Sequence, residues 1–387
     1  MTSMIDTFLD NNNFQKLCGV VSSFLDECSK LPKDKRVKCI KQTLNFQKIF
    51  DTDSVQGIAG VANIETDIPI KVAQQDQTEQ VENLCHQIVF KLSVEVNRTI
   101  EHEYFILKKL NQLRKFCPNF VGTYGLLSAY VNKAFFDDPN PKTLKNPFDI
   151  KNNVVPSNYL LLEYVGDVTF RHVYNYADKQ TVTGVLLSVL CALQIAQTKL
   201  KFTHYDLHSD NILMRKVEDT AYFAYIINGK CMVYPTHGWY PVIIDMGSSY
   251  IDGIEERPTR TSIKHYQDGL QSTNYDPISD LHHFILSAVS RLEKTEKQSD
   301  DFCRHFRLIA GRMMHIFTHS NIWRHKGWKH LPCNLYYLFN EAVNKANPKL
   351  CEFYSYLRSE IVETLALGVK LPWKELSNDD LQKLAVY

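Results

Sequence analysis

The first fifty residues carry apolar side chains at helical intervals. Phe8, Leu9, Phe14, Leu17, Val20, Val21, Phe24 and Leu25 recur three and four positions apart, which predicts an amphipathic, helical extension over residues 1–50. From about Ser54 to Val94 the pattern shortens to β-branched runs between glycine or polar clusters. VQGIAGVANIE, DIPIKVA and HQIVFKLSV read as strands. A helix is expected from Thr99 to Leu113, with Ile100, Tyr104, Ile106, Leu107 and Leu110 on one side. Two further strand-like pieces, NFVGTYGLLSAYV and NYLLLEYV, are divided by a Pro-, Asn- and Asp-rich loop from Asp137 to Asn158. Several strands, one helix and more strands imply a mostly antiparallel sheet with a helix on one face.

After Gly166 the pattern is mainly helical. VTGVLLSVLCALQIAQTKL, Val182 to Leu200, is apolar but interrupted by Ser188, Gln194 and Gln197 before it reaches membrane-spanning length, so it reads as a buried core helix. Between Ile212 and Ile244 lies a strand-rich island in which Asn228-Gly229, flanked by apolar runs, marks a hairpin. Helix resumes from about Pro277.

Composition narrows the class. A chain of 387 residues, 44% hydrophobic, is long enough for two cores. Lysine plus arginine (44) balance aspartate plus glutamate (43), so no overall field recruits nucleic acid or an anionic membrane. The run KLPKDKRVKCIK, Lys30 to Lys41, reads as a solvated helix face. Ten cysteines include no C-x-x-C, which argues against a zinc ribbon or dithiol site. The amino terminus MTSMIDTFLDNNNF lacks the features of a secretory signal, so reduced thiols and an intracellular protein are expected.

The chemistry concentrates in FTHYDLHSDNIL, Phe202 to Leu213, and in PVIIDMGSS, Pro241 to Ser249. The first is a polar loop between a buried helix and an apolar run, and the second ends a strand-like run on an aspartate followed by a small residue. Asp206, Asn211 and Asp245 supply one base and two oxygen ligands for a hard cation such as magnesium. A zinc site on His204 and His208 is disfavoured, since tyrosine stands where a zincin helix needs glutamate. His315 and His319 share that spacing and read as a helix face.

H-Y-D-L-H-S-D-N followed by I-I-D-M-G resembles the catalytic loop and metal-binding motif of the protein-kinase-like superfamily. D-L-H in place of D-L-K, the IINGK hairpin and PTHG ahead of VIID are similar to the haspin branch and to kinase-like proteins of large DNA viruses. The resemblance covers about Ser54 to Leu292. It implies an α+β, bilobal fold, with a small antiparallel sheet lobe over 51–165 and a larger, mainly helical lobe over 166–387 that carries a β-hairpin insertion at about 214–242.

The same resemblance assigns roles. Asp206 would accept the proton of the attacking hydroxyl, and Asn211 and Asp245 would hold Mg2+ against the phosphates of ATP. His208 would face the γ-phosphate or the substrate, while His204 would be structural. Lys91 would contact the α- and β-phosphates, held by Glu103. Lys71 in IPIKVA is the rival lysine, followed by QQDQTEQ and a strand rather than by the helix, and Glu101 is the rival carboxylate. Gly57 and Gly60 would turn over the phosphates, although G-x-G-x-x-G is missing. Glu163 and Val165 would offer backbone groups to adenine, with Leu162 at the back of the pocket. Asp280 would steady the catalytic loop from below.

Tyr205 stands where many kinases carry arginine, and no A-P-E follows Gly247, so activation-segment phosphorylation is not expected. A serine/threonine protein kinase of a virus, located in the host cytoplasm or in the virion, is the expectation. A small-molecule phosphotransferase and an inactive scaffold are the alternatives. No contact with nucleic acid or membrane is expected, and the sequence does not fix an oligomeric state.

Overall fold

In HQIVFKLSV the residues Ile88, Phe90 and Leu92 recur at every second position, and all three are buried at the centre of a five-stranded sheet. The computed structural model describes residues 2–50, 58–66, 84–94, 99–133, 154–176, 179–219, 221–227 and 230–254, with Tyr275, Asp280 and Phe284. Gly57, Lys71, Asn228, Gly229, His315 and His319 lie outside the described residues, as do most of the helices expected after Pro277. The chain divides into two compact units, Met1–Val165 and Gly166–Tyr387.

In the first unit the strands are β1 (Leu44–Ile49), β2 (Ile58–Thr66), β3 (Leu84–Val94), β4 (Thr123–Asn132) and β5 (Val154–Glu163). Their order is β1-β2-β3-β5-β4, and every neighbouring pair is antiparallel. Helices α1 (Thr2–Lys30) and α2 (Lys33–Thr43) pack on β4, and α3 (Thr99–Leu110) packs on β3, β4 and β5. Phe14, Leu17, Val21, Phe24, Leu25 and Cys28 of α1 share one buried cluster with Ile88, Phe90, Leu92, Tyr124 and Tyr159 of the sheet. Each such side chain removed from water stabilises the fold by about 1.5–3 kcal/mol, which makes α1 an integral layer.

Four expectations are corrected here. The helix expected through residue 50 ends at Thr43, and Leu44–Ile49 forms β1 on the sheet edge. Its register shifts between Phe46 and Lys48, and the bulge breaks the two-residue alternation that marks a strand. Gly60 lies inside β2, opposite Phe90, rather than in a turn. A Cβ there would collide with the Lys48 carbonyl oxygen and the Phe90 ring, so close packing explains the glycine. β5 begins at Val154, four residues before the expected end of the loop. Pro156 pairs with Tyr130 of β4, and among the described residues β3 pairs with β5 only as far as Ser157. Finally, Cys28 and Cys39 are joined in a disulfide between α1 and α2, with Cα atoms 6.2 Å apart, where reduced thiols were expected.

The second unit contains α4 (Phe170–Tyr176) and α5 (Lys179–Leu200). Val185, Leu186, Leu187, Val189, Leu190, Ala192, Leu193 and Ala196 are all buried, so α5 is apolar around most of its circumference. Ser188 is satisfied by Tyr225 Oη at 2.6 Å. Among the described residues no helix is long and apolar enough to cross a membrane. Strands β6 (Ile212–Lys216) and β9 (Trp239–Ile243) form one antiparallel pair, and β7 (Tyr222–Ile227) and β8 (Lys230–Pro235) form another.

Candidate active site

In the first unit, Lys91 lies in mid-β3, flanked by Ala59 of β2 and Leu160 of β5. Its ammonium meets Glu103 Oε2 at 2.7 Å, with side-chain exposures of 19% and 1%. Glu103 is buried on α3 together with Ile100, Ile106, Leu107 and Leu110. Glu101, two residues earlier, points elsewhere on the helix, where its Oε1 accepts from Asn158 Nδ2 at 2.8 Å. The two carboxylates thus have different partners, and the lysine goes to Glu103.

Glu163 closes β5 with both carboxylate oxygens engaged. Arg114 donates to Oε2 at 2.8 Å and to Oε1 at 3.1 Å, and the Gly122 amide donates to Oε2 at 3.0 Å. The Glu163 amide donates to the Gly122 carbonyl at 2.9 Å, so it is already occupied and offers nothing to a ligand. Leu162 and Val165 are buried beside it. Arg114 went unnoticed in the sequence because nothing in QLRKFCP separates a buried arginine from an exposed one.

In the second unit, α5 ends at Leu200, and the loop from Phe202 begins with four buried residues, Phe202, Thr203, His204 and Tyr205. Thr203 and Tyr250 exchange backbone hydrogen bonds of 2.9 and 2.7 Å, which fixes the base of the loop. Tyr205 has φ +66°, and the fully buried Asp280 accepts from the His204 and Tyr205 amides at 2.8 to 2.9 Å. Beyond this turn Asp206 carries a side chain 43% exposed, and its backbone carbonyl accepts from Asn211 Nδ2 at 2.8 Å.

The β6–β9 register then joins the two motifs. Ile212 pairs with Ile243, and the Ile244 amide donates to the Asn211 carbonyl at 2.9 Å, which sets Asn211 beside the residue preceding Asp245. Asp245 has φ +64° and leads into a single 3-10 turn, Met246–Ser248. An αL aspartate is tolerated better than most non-glycine residues because of its short polar side chain. The Asn211 amide nitrogen is held by the Asp206 carbonyl, and the Asn211 amide oxygen and the Asp245 carboxylate are hard oxygen ligands of the kind Mg2+ takes. Among the described residues no three His, Cys, Asp or Glu side chains group to hold a metal.

His204 links both motifs. Its Nε2–H donates to the Ile244 carbonyl at 2.9 Å, and its Nδ1 accepts from the Asp206 amide at 3.3 Å, so neither ring nitrogen is open to zinc. Burial pushes its pKa down to about 4, against smaller upward pulls from the Ile244 carbonyl and the Asp245 carboxylate. The folded state therefore binds fewer protons than the unfolded chain below pH 6.5, the ordinary value for the imidazole. This contribution to stability is intact above that pH and falls by about 3 kcal/mol as the pH drops to 4. Urea unfolding of wild type and His204→Gln from pH 7 to pH 4 should show the steeper loss in wild type. Parallel curves would contradict a neutral, buried His204.

His208 has carboxylates on both sides. Asp206 Oδ1 and Asp210 Oδ2 each lie 3.9 Å from one of its ring nitrogens, and the Asp210 amide donates to Nδ1 at 3.2 Å. Arg171 of α4 lies 3.7 Å from Asp210 Oδ2. Neither Asp210 nor Arg171 was singled out in the sequence, although Asp210 directly precedes Asn211.

Comparison with known proteins identifies the family. A sequence model of the haspin-like kinase domain matches residues 9–267. The uncharacterized protein 098R of Invertebrate iridescent virus 6 is 26% identical over 286 residues, 61% of this chain and 46% of its own length. A probable kinase, 098L of Invertebrate iridescent virus 3, is 28% identical over 144 residues, 36% of this chain and 26% of its own. The serine/threonine-protein kinase haspin of Mus musculus is 37% identical over 76 residues, 19% of this chain and 10% of its own. The chain spans about half the length of the first of these curated relatives, 46% in one and 47% in another. With two thirds of its residues inside the matched span, the chain belongs to the haspin-like kinase family.

Proposed function

We propose that this protein is an ATP- and magnesium-dependent phosphotransferase acting on serine or threonine hydroxyls of a protein. The observation that carries the reading is the Lys91–Glu103 pair, an ammonium held at 2.7 Å by a carboxylate that is itself 1% exposed. Such a lysine is pre-positioned for an anionic ligand, and an inactive scaffold has no chemical need to retain it alongside Asp206, Asn211 and Asp245. In this reading Lys91 contacts the α- and β-phosphates, and Asp206 accepts the proton of the attacking hydroxyl. Magnesium, when bound by Asn211 and Asp245, neutralises charge on the phosphates. His208 faces the transferring group or the acceptor, and the backbone around Val165 meets the adenine. Residues 51–165 and 166–387 then correspond to the amino- and carboxy-terminal lobes of a kinase.

A thermal-shift titration with ATP, with and without magnesium, tests the reading. A ligand of the native state raises the unfolding midpoint by mass action. Wild type should show a magnesium-dependent rise that Asp245→Asn removes. No rise for wild type under any condition would favour a scaffold.

A further inference from the structure

Helix α1 reaches the end of β5 through one aromatic ring. The Phe14 ring lies 4.0 Å from the guanidinium carbon of Arg114 and stacks on Tyr124 of β4 at 5.2 Å. It also presses on Gly122, where any Cβ would collide with it. Arg114 in turn grips the Glu163 carboxylate with two nitrogens and donates to the Phe120 carbonyl at 2.7 Å. Gly122 both donates to that carboxylate and accepts from the Glu163 amide. The four partners are drawn from α1, the segment after α3, the approach to β4 and the last residue of β5. Two residues further on, Val165 ends the first unit.

We propose that Phe14 and Arg114 are positioning residues for adenine recognition, so that the seating of α1 sets the backbone following Glu163 and with it the affinity for ATP. The physical argument is one of burial. A charged pair removed from water is held in place only if its remaining hydrogen bonds are made and its surroundings are fixed, and here the guanidinium lies against the Phe14 ring. Withdrawing the ring admits water to the pair and lets the carboxylate swing, and the strand end swings with it. Lys91 is not among Phe14, Arg114, Gly122 and Glu163, and the largest effect is expected on the adenine rather than on the phosphates. The inference rests on the reading of Val165 as an adenine contact.

The experiment uses the full chain, with dissociation constants for magnesium-ATP and magnesium-tripolyphosphate measured by competition well below each variant's unfolding midpoint. Phe14→Ala should weaken ATP binding about tenfold and leave tripolyphosphate unchanged, whereas Phe14→Tyr, which keeps the ring over Arg114, should bind ATP as wild type does. Val21→Ala, which empties a buried site on the same helix without touching Arg114, controls for general loosening and should leave both constants unchanged. The double variant Arg114→Met, Glu163→Gln removes the charges while keeping the shape, and should reproduce the ATP-specific loss even if Phe14→Ala fails to fold. Unchanged ATP affinity in Phe14→Ala or in the double variant overturns the proposal, as does an equal loss of ATP and tripolyphosphate or an effect of Val21→Ala as large as that of Phe14→Ala. Failure of wild type to bind ATP at all would instead strike the kinase reading itself.

Discussion

Asp206→Ala should lose phosphoryl transfer by about a hundred- to ten-thousand-fold while holding ATP as tightly as wild type, the range expected when a positioned base is removed. The geometry explains why the two effects separate. The loop uses the Asp206 backbone for support, with the carbonyl bound to Asn211 and the amide bound to His204, while the side chain is 43% exposed. Truncation therefore removes the carboxylate and leaves the framework that presents Asn211. Incorporation of label from γ-labelled ATP into protein, set beside the dissociation constant for ATP, is the measurement. Loss of binding as large as the loss of transfer would contradict the role of base. The contrast with Asp245→Asn is informative, since that change is expected to weaken magnesium-dependent binding itself.

What could be read from the sequence follows from how local each signal is. FTHYDLHSDNIL stood out because its polar residues are contiguous and its neighbours are apolar, and the β6 and β9 strands that Asn211 and Ile244 flank were visible as β-branched runs. The pairing of Lys91 with Glu103 was suggested by order along the chain, a strand followed at once by a helix. Features that depend on tertiary contact left no such trace. Arg114 and Glu163 are forty-nine positions apart, and Arg171 meets Asp210 across thirty-nine. Cys28 and Cys39 carry no motif spacing. β1 was hidden by its own bulge, and Gly60 was read as a turn because a glycine needed for close packing looks the same in sequence as one needed for a positive φ. Pro156, a strand breaker by propensity, is carried in β5 by pairing with Tyr130 of β4.

Asp280→Ala should be the most damaging change for the fold around the catalytic loop. The carboxylate is fully buried and accepts from two successive amides, those of His204 and Tyr205. Tyr205 is held at φ +66°, a conformation that costs a non-glycine residue about 1–2 kcal/mol, and the aspartate helps to offset that cost. Alanine would leave both amides buried without their acceptor, each at about 1–3 kcal/mol, so the variant should lose on the order of 3 kcal/mol or more. Asparagine with its Oδ1 toward both amides would keep an acceptor for each but set its amide nitrogen against the His204 amide, so it should lose less than alanine. Phe284, four positions further on, packs its ring 6.1 Å from Phe170 of α4. Denaturant unfolding measures the stability loss, and transfer from labelled ATP should fall with it, since Asp206 directly follows the two anchored residues. A variant within 1 kcal/mol of wild type would mean that the turn at Tyr205 is held by the backbone bridge between Thr203 and Tyr250. The aspartate would then be a passive acceptor.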